Sequence, residues 1–130
     1  MTRINRGLTG LMACAVFLAA GSAFAADPIK VGPNVYKLKF ENVKVRVSEI
    51  RFKPGDTIPM HEHSDHFVYV LTAGTLQLTH PDGKSAEFSG TPGQVVWIPA
   101  ESHSAVNTGT TEFSALVVEL KPLPAYTENQ

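Results

Sequence analysis

Three of the five histidines in this 130-residue chain lie within six residues, at positions 61, 63 and 66. The apolar segment Phe67 to Leu71 follows directly, which is typical of a β-strand. Side chains two apart on an extended strand project to the same face, so His61 and His63 point in the same direction. Two imidazoles on one face can bind one metal ion, and imidazole suits zinc, copper, iron and nickel. Residues 60–71 are therefore the candidate metal-binding segment.

The elements that must position these histidines are short strands. Lys53-Pro54-Gly55-Asp56 has the composition of a tight turn, and Asp82-Gly83 is a hairpin signal between two strands. No segment after residue 25 shows helical periodicity over three turns. Eight to ten short strands separated by turns predict an all-β fold, a small β-barrel or jelly roll.

Three local features carry more specific expectations. Pro28 and Pro33 argue against both helix and central strand, so residues 26–34 are predicted to be a linker or edge segment. Valines alternate with polar residues over 43–48, and the alternation changes phase near Ser48-Glu49, which predicts a β-bulge or a short break in the strand. Residues 94–98 are predicted to be a buried strand.

The N-terminal 25 residues resemble a secretory signal peptide. Arg3 and Arg6 precede an uncharged apolar segment, Leu11 to Ala20, and Ala23-Phe24-Ala25 fits a signal-peptidase site. The apolar segment is too short to span a bilayer. We expect cleavage near Ala25 and a periplasmic or secreted protein; a retained anchor is the alternative.

Cys14, the only cysteine, lies inside this segment. A lipoprotein signal ending at Cys14 is a second alternative, although it would divide the apolar core. Cleavage near Ala25 leaves about 105 residues without a disulfide, enough for one domain. It also removes Arg3 and Arg6, which changes the formal net charge from −1 to −3. Nothing in the remaining sequence suggests binding to nucleic acid or to a membrane surface.

Two motifs in order make residues 35–121 resemble the cupin superfamily, small β-barrels that commonly hold one metal ion. In the first motif a glycine is followed after five residues by His-x-His, as in Gly55 and His61-Glu62-His63. The second motif requires a glycine, a proline, a histidine and an asparagine, and it is matched by Gly93, Pro99, His103 and Asn107. The resemblance implies a double-stranded β-helix jelly roll, with residues 122–130 as a C-terminal tail.

The sequence departs from this family at the metal-binding glutamate. Counting back from Gly74 by the family spacing reaches Phe67, which cannot bind a metal. Alignment on Tyr69-Val70-Leu71 reaches His66 instead and places one extra residue in the Thr72-Ala73 turn. Turns absorb insertions more easily than paired strands. His66 is then either the substitute ligand or a surface histidine near the pocket mouth.

The resemblance therefore implies a mononuclear site for one divalent transition metal, with iron, zinc, nickel, copper and manganese as candidates. Four neutral imidazoles would leave the ion its full charge of +2 and make it a strong Lewis acid. Glu62 and Asp65 are either acceptors for an imidazole N–H or solvated residues. The predicted ligands are His61, His63, His66 and His103.

Other side chains receive weaker assignments. Glu101 replaces a family glycine and is expected to be a solvated turn residue, and His80 is expected to be solvated in its hairpin. Tyr69 and Glu101 are the only evident candidates for acid–base chemistry, so the catalytic residues stay undetermined. Five large side chains are predicted to face the barrel interior: Phe52, Met60, Tyr69, Trp97 and Phe113.

The cupin resemblance leaves three hypotheses for function. The first is a periplasmic metalloenzyme acting on a small organic substrate, with oxygenase or lyase chemistry. The second is a non-catalytic metal- or ligand-binding module, and the third is a barrel with a vestigial site. Exposed strand edges favour pairing, so a homodimer is expected.

Overall fold

The computed structural model describes residues 26–123. Within this range the chain forms one short helix, α1, and nine strands, β1 to β9. No helix of the described range combines the length and apolar character needed to cross a bilayer. The elements are, in order, α1 Pro28–Val31, β1 Tyr36–Glu41, β2 Val45–Phe52, β3 Thr57–His63, β4 His66–Thr72, β5 Gly74–Thr79, β6 Ser85–Gly90, β7 Val95–Ile98, β8 Glu101–Asn107 and β9 Phe113–Leu120.

The strands form two antiparallel sheets that confirm the predicted all-β jelly roll. A five-stranded sheet has the order β1-β2-β9-β4-β7, and a four-stranded sheet has the order β3-β8-β5-β6. Alternate residues of each strand face the space between the sheets, as the period of two requires. The core includes Phe52 and Phe113, as predicted, together with Ile58 and Val70; all four are 1% exposed or less.

The N-terminal segment contains a helical turn that was not expected. Pro28 occupies the first position of α1, where its missing N–H is not needed. The side chain of Asp27 accepts a hydrogen bond from the backbone N–H of Ile29 at 2.9 Å and so caps the turn. The prediction that the prolines exclude helix is therefore wrong for residues 28–31. The predicted signal peptide lies outside the described residues.

The predicted bulge in β2 is also wrong. The strand pairs with β9 without interruption, from Val45 opposite Leu120 to Phe52 opposite Phe113. Its inward side chains include Ser48 and Ile50, so the valines lie on the outer face of the sheet. A register shift occurs instead in β1, between Leu38 and Phe40.

Three of the five large side chains assigned to the interior lie outside it. Trp97 is 54% exposed, Tyr69 39% and Met60 36%, and in β7 Val95 is 61% exposed. β7 is therefore not the buried strand that its composition suggests. Both faces of the five-stranded sheet carry apolar residues, so composition alone could not identify the inner one.

Candidate metal centre

Three strands bring the four predicted ligands into the interior. His61 and His63 lie on β3, His66 begins β4, and His103 lies on β8 directly opposite His61. Their exposed fractions are 0%, 2%, 2% and 6%, respectively. The alternative that His66 is a surface histidine is therefore wrong, while Phe67, its neighbour, faces away from the buried side of β4.

The histidine rings are close neighbours. The centroid of the His61 ring lies 4.8 Å from that of His63 and 4.7 Å from that of His103. One nitrogen from each of these three residues lies within 4.8 Å of the other two, an arrangement that could hold a metal ion. His66 is adjacent to this group, with its ring centroid 4.7 Å from that of His63.

Every one of the four imidazoles is held by its Nδ1 atom. Backbone carbonyl oxygens lie at hydrogen-bond distance from two of them, Pro59 O at 2.8 Å from His61 and Ser64 O at 2.7 Å from His66. Carboxylates are the hydrogen-bond partners of the other two: Glu119 lies 2.8 Å from His63 Nδ1, and Glu101 lies 2.7 Å from His103 Nδ1. An acceptor at Nδ1 fixes the proton there and leaves the Nε2 lone pair free for a metal.

The donor set fits a divalent transition metal. His61 Nε2 is fully buried and has no hydrogen-bond partner among the described residues. Leaving such an atom unpaired costs about 1–3 kcal/mol, so it indicates a missing partner. A metal ion with affinity for imidazole is a partner that this nitrogen and its neighbours can accommodate.

Burial favours the neutral form of His61, His66 and His103, which is the form that metal binding requires. Burial, together with the nearby histidines, lowers the pKa of His61 and that of His103 to about 4. The pKa of His66 is lowered for the same reason. At neutral pH these three side chains are unprotonated, so a metal need not displace protons from them.

Two residues of the site were missed by the sequence analysis. Tyr36 is buried at the start of β1, and its hydroxyl lies 3.2 Å from His63 Nε2. Glu119 is 7% exposed and lies on the inward face of β9 with Phe113, Ala115 and Val117. A charged residue on the buried face of a strand was the available signal for Glu119. Tyr36 offered no comparable signal.

The carboxylates differ from those expected. Glu101 belongs to β8 and contacts His103, so it is not a solvated turn residue. Glu62 is exposed on β3, and the Asp65 side chain accepts a hydrogen bond from the backbone N–H of Ala100. Neither Glu62 nor Asp65 is hydrogen-bonded to an imidazole. The carboxylates that contact imidazoles are those of Glu101 and Glu119.

The remaining sequence predictions near the site concern His80, Tyr69 and Glu101. His80 is half-buried rather than fully solvated, and its ring centroid lies 6.4 Å from that of His103. Tyr69 is on the outer face of the five-stranded sheet, so it cannot act on a molecule in the interior. Glu101 is occupied by His103.

A small cavity adjoins the histidines. Its volume is about 40 Å³, room for roughly two or three water molecules. Three histidines, His63, His66 and His103, line it together with Tyr36. The other lining residues are apolar, among them Phe52, Val68, Leu76 and Phe113. The cavity therefore suits a small, largely apolar molecule beside a metal.

Comparison with known proteins places this geometry in context. The sequence model of the protein family described as Cupin domain matches residues 48–119 of this chain. A cupin domain from Bordetella pertussis Tohama I superposes with a TM-score of 0.62 at 33% identity, covering 68% of this chain and 93% of that one. A search among curated proteins gave no match.

More distant structures share the fold. An RmlC-like cupin with a double-stranded β-helix fold from Methanocaldococcus jannaschii has a TM-score of 0.55 at 19% identity, covering 67% of this chain and 79% of that one. The polyketide cyclase RemF from Streptomyces resistomycificus has a TM-score of 0.51 at 27% identity, covering 68% and 66%.

Proposed function

Since this chain belongs to the cupin superfamily, we propose that it is a metal-dependent enzyme acting on a small organic molecule. One divalent transition metal is held by Nε2 of His61, His63, His66 and His103. The observation that carries this proposal is that all four Nδ1 atoms have acceptors, while the buried Nε2 of His61 has no hydrogen-bond partner among residues 26–123.

The donor set restricts the metal by chemistry. Imidazole ligands suit iron, zinc, nickel and copper, and manganese remains a candidate despite its preference for oxygen. When bound, such a metal supplies Lewis acidity toward a substrate oxygen or a bound water. The chain's own contribution is to hold the ligands in one tautomer, to exclude bulk water and to restrict the size of the substrate.

The class of reaction is supported by resemblance. RemF, whose structure is 27% identical in sequence to this chain, is a polyketide cyclase and therefore an enzyme. The cavity of about 40 Å³ is much smaller than the roughly 300–1,000 Å³ usual for drug-sized ligands. A compact substrate, and oxygenase or lyase chemistry at it, is therefore the proposal for this chain.

The second candidate is a non-catalytic module that binds the metal and a small ligand without converting the ligand. One observation favours it: no carboxylate lines the cavity within the described range, and Glu101 and Glu119 instead contact the histidines. Both candidates require the metal, and they differ in whether a product forms.

Metal analysis of protein purified without a histidine tag tests what the candidates share. We expect about one equivalent of a transition metal, removal by chelator and recovery on addition of the same ion. His66→Ala should weaken affinity, and Gln77→Ala, an exposed change on β5, should not. Absence of bound metal in the purified and metal-supplemented protein would reject both candidates. Unchanged affinity in His66→Ala would reject the fourth ligand alone.

Turnover separates the two candidates. The metal-loaded protein should convert at least one member of a panel of small ketones, acids and phenols, and His61→Ala should abolish the conversion. Stoichiometric binding without any product would favour the binding module.

We also propose that the protein is exported and cleaved near Ala25. The backbone oxygen of Ala26 accepts a hydrogen bond from Glu62 N at 3.1 Å, so a cut after Ala25 leaves this contact in place. Mass spectrometry of protein recovered from the periplasm or medium should find a chain beginning at Ala26. Recovery of the uncut chain from the cytoplasm would contradict export.

A further inference from the structure

Among the described residues that line the cavity, the Tyr36 hydroxyl is the one polar group that the four-histidine site leaves unassigned. Its neighbours in the wall are three histidines and apolar side chains. It donates a hydrogen bond to His63 Nε2 at 3.2 Å, because the proton of that imidazole is held at Nδ1 by Glu119. Within the described residues this is the only hydrogen bond that the hydroxyl makes.

This hydrogen bond and a metal compete for the same lone pair. Neutral imidazole has one acceptor nitrogen, and in His63 it is Nε2. When His63 Nε2 is a ligand, the Tyr36 hydroxyl loses its acceptor. A buried hydroxyl without a partner is unfavourable, so it requires another acceptor within reach of the cavity.

The surroundings of Tyr36 restrict what that acceptor can be. The Tyr36 side chain is buried, and the described residues give its hydroxyl no hydrogen-bond partner besides His63 Nε2. The apolar side chains that complete the wall offer no oxygen. The acceptor must therefore be brought by the molecule in the cavity.

We propose that Tyr36 orients the ligand of this site by donating a hydrogen bond to an oxygen atom of a small organic molecule. This inference rests on the proposed metal site and specifies its ligand: an apolar body that carries a carboxylate or carbonyl oxygen. In the metal-free protein the same hydroxyl is held by His63, so metal binding and ligand orientation are coupled through one side chain.

Cobalt-substituted protein provides the test, because the visible absorption of Co²⁺ changes with its coordination. Acetate serves as the probe of an oxygen acceptor. In the unmodified protein we expect acetate to perturb the Co²⁺ spectrum with a saturable dependence. In Tyr36→Phe the dissociation constant for acetate should rise by about tenfold or more, as for loss of a hydrogen bond to a charged group.

The affinity for Co²⁺ distinguishes this role from that of a ligand to the metal. Tyr36→Phe removes a competitor for His63 Nε2, so Co²⁺ should bind equally well or up to about tenfold more tightly. The matched control is Tyr69→Phe, which removes a hydroxyl from the outer face of the five-stranded sheet. It should leave both affinities unchanged.

Four results would count against the inference or its premise. Failure of the unmodified protein to bind Co²⁺ would contradict the metal site itself. With Co²⁺ bound, a normal acetate affinity in Tyr36→Phe would overturn the role of Tyr36 alone. A Co²⁺ spectrum of the unmodified protein that does not change on addition of acetate would also overturn the role of Tyr36. Loss of Co²⁺ affinity in Tyr36→Phe by tenfold or more would make Tyr36 a ligand to the metal and overturn its role as a donor.

A second measurement needs no change at Tyr36. Tyrosine labelled with ¹³C at Cζ, in protein carrying Tyr69→Phe and Tyr126→Phe, reports on Tyr36 alone, since the chain has three tyrosines. Its resonance should shift on addition of Zn²⁺ and shift again with acetate. A resonance insensitive to acetate in the Zn²⁺-loaded protein would overturn the proposal.

Discussion

The charge of the site is set by residues that do not reach the cavity. Four neutral imidazoles alone would leave a divalent ion its full charge, which was the expectation from the ligand types. Glu119 and Glu101 each lie one imidazole away, bonded to Nδ1 of His63 and of His103. With a metal bound, their charges would partly offset that of the ion and raise the basicity of both histidines. Glu101 and Glu119, which are hydrogen-bonded to two of the histidines, would thus supply part of the negative charge that a glutamate ligand would bring to the metal.

Glu119→Gln tests this electrostatic role. The amide oxygen can still accept the Nδ1–H bond of His63, whereas the negative charge is lost. We expect metal affinity to fall by about tenfold, the lower end of the effect known for such partners. Isothermal titration with Zn²⁺ measures it, with Glu62→Gln on the exposed face of β3 as the control. Equal affinities in the two variants would contradict a role for the charge.

The buried histidines also predict how the stability of the metal-free protein depends on pH. The pKa values of His61 and His103 are about 4 in the folded chain, against about 6.5 when unfolded. Between these values only the unfolded chain binds the protons, so acid lowers the free energy of unfolding. The slope approaches about 1.4 kcal/mol per pH unit for each histidine.

Urea unfolding in the presence of a chelator, from pH 7.5 to 4.5, measures this slope. Stability should be constant above about pH 7 and fall progressively below about pH 6.5, which is the sign for a lowered histidine pKa. His103→Asn should reduce the slope of the free energy of unfolding against pH by the contribution of one histidine. Stability independent of pH over this range would contradict the burial of neutral imidazoles.

At the scale of elements, Asn107 holds the end of β8 to two neighbouring segments. It is 2% exposed, and its side-chain amide donates to the backbone oxygens of Phe52 and Thr111 at 2.8 and 2.9 Å. Its Oδ1 accepts from Gly109 N at 2.8 Å. The asparagine of the second motif is therefore structural: it ties β2 and the turn before β9 to the strand that carries His103.

Asn107→Ala should lower stability without removing a ligand. Two backbone carbonyls and one N–H lose their partner, and each buried unsatisfied group costs about 1–3 kcal/mol. We expect a loss of about 2–4 kcal/mol in the free energy of unfolding, measured with urea, and a metal stoichiometry still at one. Asn34→Ala, at an exposed position, should change stability little. A loss below about 0.5 kcal/mol would contradict this assignment.

Strand positions followed from the sequence where turns and alternation agreed. The predicted turn of residues 53–56 separates β2 from β3, the Asp82-Gly83 hairpin separates β5 from β6, and His66 faces inward as a substitute ligand would. The extra residue expected near Thr72 has a structural counterpart, because the register of β4 against β9 shifts between Val70 and Thr72. That shift allows His66 to face inward while Gly74 keeps its place in the next strand.

The failures have a common physical cause. Alternation tells which residues share a face but not which face is inside when both are apolar, as in β2 and β7. The contacts of Tyr36 and Glu119 with His63 span 27 and 56 residues, so no local spacing could reveal them. The grouping of His61, His63 and His103 was predictable because the two motifs constrain their spacing, whereas His66 depended on a choice between two alignments.

At the scale of the whole molecule, the outer face of the five-stranded sheet carries a continuous row of apolar residues. One row of paired residues crosses all five strands. From β1 at one edge of the sheet to β7 at the other, its members are Phe40, Val47, Val118, Phe67 and Trp97. Tyr69 and Val95 pair in the adjacent row and are 39% and 61% exposed. Five strands about 4.8 Å apart make this face about 20 Å wide, and apolar faces of such size mark interaction sites.

We expect this face to pair with the same face of a second copy. The arrangement would bury the aromatic side chains at the centre of a two-fold interface, where aromatic residues contribute most to affinity. This expectation differs from edge-to-edge pairing, since the residues concerned lie on the face of the sheet. Trp97→Lys places a charge at the end of the apolar row, and it should convert a dimer to a monomer in light scattering at tens of micromolar.

Val43→Lys is the control for this change, because Val43 is 75% exposed in the turn between β1 and β2. It adds the same charge away from the row and should leave the dimer intact. Circular dichroism should show that both variants keep their strand content, since Trp97 contributes little to the core. A monomeric unmodified protein at these concentrations, or a Trp97→Lys variant that remains dimeric, would show that the face serves no such contact.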